Sequence, residues 1–170
     1  MTKGMKVATV ILALGCAKAD TSADTSRPAV ADSASITAAT VTVTEFQQLR
    51  WINGMWRGFM PDGKKFYERY RVVNDSTMVM HAFPDSTFGT PSDSSVIALR
   101  NGRVTSDGGN SQYVATRLDS SGVDFAPQRG ATNRFTWARE TPTQWSATIR
   151  YTDRDGRPQS VVYALHKFGR

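Results

Sequence analysis

The run Leu49-Arg50-Trp51-Ile52-Asn53-Gly54-Met55-Trp56 constrains the fold more than any other part of this 170-residue chain. It reads L-x-W-I-x-G-x-W, a short apolar turn running into a strand that opens on tryptophan. Gly54 permits a tight bend into that strand, because without a Cβ it can take backbone angles that other residues avoid.

After Trp56 the chain falls into short β-rich runs separated by turn signals at close spacing, the pattern of an all-β sandwich or barrel. Pro61-Asp62-Gly63 is a turn in which proline presets φ and glycine accepts a positive φ. Residues 65–73 alternate, Asn74-Asp75 turns the chain, and Thr77–Phe83 runs back; 84–95 is a polar loop. Asn101-Gly102 between 96–99 and 103–106 is a strong hairpin signal. Runs at 112–118, 123–125, 134–139, 144–151 and 160–168 follow. The spacing predicts a single up-and-down antiparallel β-barrel of about nine or ten strands, with one short helical turn, 45–52, before the first strand. Closure would remove the exposed edges that invite aggregation.

Period-two alternation assigns some faces. Phe66, Glu68, Tyr70 and Val72 are predicted to point inward, since the opposite face carries Arg69 and Arg71. Trp145, Ala147, Ile149 and Tyr151 form a clean apolar face opposite Gln144, Ser146, Thr148 and Arg150. Phe135 and Trp137 share a face with Arg139, and both faces of Thr77–Phe83 look apolar.

The N-terminus has the make-up of an export signal. Lys3 and Lys6 precede an apolar run, 7–15, about half the roughly 20 residues a spanning helix needs. It ends in Leu12-Ala13-Leu14-Gly15-Cys16, which resembles the bacterial lipoprotein processing box, although Ala13 stands where that box has leucine. The resemblance implies that residues 1–16 are a lipoprotein signal and that Cys16 carries the lipid. It is the chain's single cysteine, so no intramolecular disulfide competes for it. Ala17 after the cysteine implies the periplasmic side of the outer membrane. Residues 17–44, rich in Ala, Thr, Ser and Asp, cannot bury enough apolar surface to offset their ordering entropy and read as a tether. Residues 45–170 then make one domain with one core.

From Phe46 onward the chain carries 17 cations against 11 anions. The arginines are scattered rather than gathered into a stripe, which argues against nucleic acid and for a solvated cationic surface. Some attraction to anionic envelope polymers is compatible with it.

From Phe46 to Phe168 the chain resembles a bacterial lipocalin-like, calycin-type family of unknown function, known as exported proteins or lipoproteins. The resemblance rests on L-x-W-I-x-G-x-W, on Phe66-Tyr67-Glu68-Arg69-Tyr70, on Thr77-Met78-Val79-Met80 and on Arg100-Asn101-Gly102-Arg103. Phe125-Ala126-Pro127 and Arg134-Phe135-Thr136-Trp137 match the ends of a later family segment. Its His-Asp-Phe middle is replaced here by Arg129-Gly130-Ala131-Thr132. The resemblance implies a cup whose closed end is plugged by Trp56, and implies no activity.

Few residues suggest chemistry. Glu68 lies on the expected inner face, where an ionised carboxylate is costly unless paired. It reads either as a ligand-orienting or acid–base group, or as half of a Glu–Arg pair with Arg134, Arg139 or Arg150, the simpler reading. His81 and His166 are the two histidines and have no metal-ligand spacing, so no metal site is expected. Barrels of the nitrobindin type open similarly and hold haem through one late-strand histidine, a role that would fall to His166. The chain lacks their glycine-rich continuation, reading Arg57-Gly58-Phe59-Met60-Pro61. The serines form no nucleophile elbow, and Asp153 and Asp155 flank a turn, so no catalytic residue is assigned.

The expected function is an envelope lipoprotein whose barrel binds a small apolar or amphipathic molecule. Trp56 would form the floor, Tyr70, Met80, Trp137 and Trp145 the wall, and Glu68 the orienting group. The alternative is a structural or envelope-interaction protein whose barrel is filled by its own side chains.

Overall fold

A computed structural model describes residues 36–169; Cys16, the expected signal and most of the expected tether lie outside them. Ten strands, β1 (Gly54–Phe59), β2 (Lys65–Asn74), β3 (Thr77–Phe83), β4 (Asp93–Arg100), β5 (Arg103–Gly108), β6 (Ser111–Asp119), β7 (Gly122–Pro127), β8 (Arg134–Thr141), β9 (Gln144–Thr152) and β10 (Pro158–Lys167), pair with their sequence neighbours. β1 and β10 close the ring, so the sheet is a ten-stranded antiparallel barrel, as the spacing predicts.

The turn chemistry sets the register. In the β4–β5 hairpin Asn101 and Gly102 both have positive φ, 50° and 72°, the geometry an Asn-Gly turn provides between twisted strands. β4 begins at Asp93, three residues before the apolar run at Val96, because Ser94 and Ser95 pair with His81 and Met80. That pairing consumes the end of the segment the sequence reads as loop.

One end of the barrel is covered by helix α1 (Val43–Phe46) and a 3-10 turn at Gln47–Ile52. Thr42 and Glu45 form a reciprocal capping box: the Thr42 hydroxyl accepts from the Glu45 N–H at 3.2 Å, and Glu45 accepts from the Thr42 N–H at 2.7 Å. Phe46, Leu49 and Ile52 are buried against the interior. The sequence places the start of the domain at residue 45. Hydrogen bonds from the Ala39 N–H to the Ala115 carbonyl and from the Val41 N–H to the Gly102 carbonyl carry ordered packing back to residue 39. Val41 is itself buried.

Inside, residues alternate as the period-two pattern requires: Trp56, Glu68, Tyr70, Met78, Met80, Ile97, Phe125, Phe135, Trp137, Trp145, Ile149 and Leu165 are all buried. At Gly58 the absent side chain makes room for Phe66 on the neighbouring strand. A Cβ there would sit 2.0 Å from Phe66 Cζ.

Candidate functional site

Trp56 stands where the floor is expected. Its indole N–H donates to the Ile52 carbonyl at 2.5 Å, tying β1 to the covering turn. The Lys167 ammonium lies 4.6 Å from its ring and donates to the Asn53 carbonyl at 2.7 Å. The floor is thus a tryptophan with its one polar atom satisfied.

Above it the aromatic wall forms a continuous cluster. Trp145 meets Trp56 at 6.0 Å and Tyr70 at 5.8 Å edge-to-face, and Trp137 meets Tyr70 at 5.6 Å and Trp145 at 5.8 Å. Phe125 and Phe135 extend the cluster from Trp137, at 5.4 Å and 5.6 Å. Edge-to-face rings at these separations attract through their quadrupoles as well as by burial. Met80 sits opposite Tyr70 in the β2–β3 register and is also buried. The structure therefore brings Trp56, Glu68, Tyr70, Met80, Trp137 and Trp145 into one interior.

Glu68 is 1% exposed. One carboxylate oxygen, Oε2, accepts from the Tyr70 hydroxyl at 2.9 Å; the other, Oε1, has no partner among the described residues. No arginine closes on it. Arg134, Arg139 and Arg150 are exposed, with Arg134 and Arg150 on the outer wall, so the expected Glu–Arg pair does not form. With no cation beside it, burial pushes the Glu68 carboxyl up to about 7, against the Tyr70 hydrogen bond, which favours the ionised form. Burial and the adjacent carboxylate push the Tyr70 hydroxyl well above its ordinary range, so it stays a donor.

The indole N–H groups of Trp137 and Trp145 are likewise buried without acceptors among the described residues. A buried donor without a partner costs about 1–3 kcal/mol. Trp51, whose ring meets Trp145 at 6.0 Å from the covering turn, has the same kind of unpartnered N–H; the three such atoms carried by the barrel strands, Glu68 Oε1, Trp137 Nε1 and Trp145 Nε1, are therefore an unspent capacity for hydrogen bonding. With Glu68 protonated on Oε1, all three act as donors. Such a set suits a molecule with an apolar body and an accepting oxygen or nitrogen.

Neither histidine belongs to this interior. His166 is paired with Arg57 across β1 and β10, between the inward-facing Leu165 and Lys167, and its ring lies 6.0 Å from Phe59 on the outer wall. Haem ligation inside the barrel by His166, as in nitrobindin-type proteins, is excluded by that direction. His81 also lies on the outer wall, 6.4 Å from Phe83. No cluster of three or more His, Cys, Asp or Glu with metal-binding geometry occurs among the described residues.

No protein-family model matches the chain, and no curated protein matches it. Among solved structures it is similar to EF1p2_mFAP2b bound to DFHBI, at 15% identity and TM-score 0.38, covering 72% of this chain and 98% of that one. It is also similar to a redesigned β-barrel, b11L5F_LGL, at 13% identity and TM-score 0.35, covering 73% of this chain and 96% of that one. At these scores the barrel assignment rests on the strand pairing, and the likeness carries no function across.

Proposed function

We propose that the barrel binds a small, largely apolar molecule bearing a hydrogen-bond acceptor, seated against Trp137, Trp145 and Glu68. The observation that carries this reading is the trio of buried, unpartnered polar atoms within one aromatic cluster. Apolar burial would supply the affinity, and the polar trio the orientation. In the same reading the expected lipid on Cys16 holds the protein at the envelope, on the periplasmic side of the outer membrane.

A direct test is fluorescence titration of the full chain with Prodan, a neutral naphthalene carrying one ketone. Saturable binding with a blue-shifted emission, weakened about tenfold by Trp137→Phe, is the expected result. No saturable binding, or equal binding to the variant, would count against the reading.

The second reading is a self-filled barrel serving as a scaffold. It is favoured by the ring contacts of 4.7–6.0 Å that run from Trp56 to Phe125 and Phe135. Under it the three polar atoms are a tolerated cost, and Prodan does not bind.

A further inference from the structure

We propose that a groove on the outer wall, flanked by Arg134 and Arg150, is a binding site for a phosphate monoester. The two arginines stand directly opposite each other on β8 and β9. Residues so placed have Cβ atoms about 5 Å apart, and like charges there are destabilising. Arginine cannot relieve the repulsion by losing its proton.

The protein neutralises the pair only in part: the Arg150 charge helps to hold the Asp124 carboxyl below its ordinary range, from beyond ion-pair distance. Among the described residues, neither guanidinium has a carboxylate within ion-pair distance. Arg150 is fixed by a 3.0 Å hydrogen bond from Nη1 to the Thr136 hydroxyl, whereas Arg134 makes no side-chain hydrogen bond among the described residues. Some exposed cations are matched, Arg50 by Asp75, Lys64 by Asp62, and Arg117 by Asp119 and Asp124, whereas Arg100 and Arg103, also opposed in register across the β4–β5 hairpin, have no ion pair among the described residues; the hollow beside Arg134 and Arg150 is what sets that pair apart.

The arginines border two hollows. One, about 370 Å³, includes Asp124, whose carboxylate would repel an anion. The other, about 380 Å³, has no acidic residue in its wall. It offers the two guanidinium groups, the hydroxyls of Thr132, Thr152 and Ser160, and the apolar surfaces of Tyr151 and Pro158. An adjoining hollow of about 280 Å³ shares Thr132, Tyr151 and Thr152 and adds one charge of each sign, Arg154 and Asp153.

This chemistry selects the ligand. A phosphate monoester carries about −1.5 to −2 charge near pH 7, which matches two fixed cations, whereas a carboxylate matches one. Guanidinium groups form paired hydrogen bonds with phosphate oxygens. The Tyr151 and Pro158 surfaces leave an apolar place for the esterified group. The site is on the outer wall and is independent of the interior reading.

The test is thermal unfolding of the full chain with phenyl phosphate, or with soluble dihexanoyl phosphatidic acid, against sodium chloride at equal ionic strength. Ligand that binds only the folded chain raises the midpoint, and a site filled at 100 times its Kd gives a rise on the order of several degrees. We expect a saturable rise in wild type that is lost in Arg134→Gln and in Arg150→Gln and kept in Arg100→Gln, a cation outside the groove. In chloride alone, Arg134→Gln is expected to unfold at the same temperature or higher, because the like-charge pair is gone. A stronger response to phenyl phosphate assigns a soluble ester, and a stronger response to the phosphatidic acid assigns a lipid headgroup. Responses that match chloride, or that survive both groove substitutions, overturn the site.

Discussion

The Tyr70 hydroxyl donates a 2.9 Å hydrogen bond to the carboxylate of Glu68, two residues earlier on the same inward face of β2. Among the described residues it is the one side-chain partner of a carboxyl buried inside an aromatic-lined barrel. Burial and the hydrogen bond pull in opposite directions, burial wins, and the group titrates at about 7. The interior therefore switches between three donors and a mixed set close to neutral pH.

The first consequence is a dependence of stability on pH. The folded carboxyl titrates at about 7 and the unfolded one near 4.5, so between these values the folded state holds more protons. Stability is then highest below about pH 4.5, as far as this group is concerned, and falls as pH rises towards 7. The loss is on the order of 3 kcal/mol, and Glu68→Gln should remove most of it. Urea denaturation at pH 5 and pH 8 measures both slopes. Equal stability of wild type at the two pH values would contradict an unpaired, buried carboxyl.

Tyr70→Phe removes the donor that favours ionised Glu68. The carboxyl should titrate higher still, and the variant should lose about 1–3 kcal/mol at pH 8, where the charge loses its partner, and less at pH 5. Denaturation at both pH values separates this from a loss of packing, which would be equal at each.

Gly58→Ala drives a methyl group into the Phe66 ring, since the Cβ would lie 2.0 Å from Cζ. Overpacking of this kind costs about 1–3 kcal/mol. Phe66→Leu in the same chain should recover part of it, and a double-mutant cycle that shows strict additivity would dispute the contact.

Trp137→Phe and Trp145→Phe each remove a buried N–H that has no acceptor. Without ligand, the relief of that group offsets part of the loss of ring surface, so each variant should cost less than the about 3–5 kcal/mol typical of Trp→Ala. Thermal unfolding of both variants beside the corresponding alanine substitutions checks the difference.

Much of the barrel was legible from local pattern. The Asn101-Gly102 dipeptide marked a hairpin, and the clean alternation of Trp145, Ala147 and Ile149 marked an inner face, because both signals are local in the chain. The same alternation already opposed two readings. If Ile149 points inward, Arg150 points outward and cannot reach Glu68; if Leu165 points inward, His166 cannot. The reading of residues 17–44 as a tether passes over the Thr42-x-x-Glu45 capping box, a local pattern that marks ordered chain ahead of residue 45. Other features depend on which strands lie opposite, and no local pattern states that. The Arg134–Arg150 pair is set by the β8–β9 register, and the orphaned state of Glu68 by the absence of a cation on the facing wall.

The central claim, a ligand-binding interior, is tested most directly by native mass spectrometry of the full chain purified gently from its host cells. The account predicts a reproducible excess mass, beyond any lipid on Cys16, that is released on denaturation and is reduced in Glu68→Leu and Trp137→Phe. A mass of polypeptide with at most a covalent lipid, unchanged after incubation with lipid extract, would contradict it and leave a barrel filled by its own aromatic side chains.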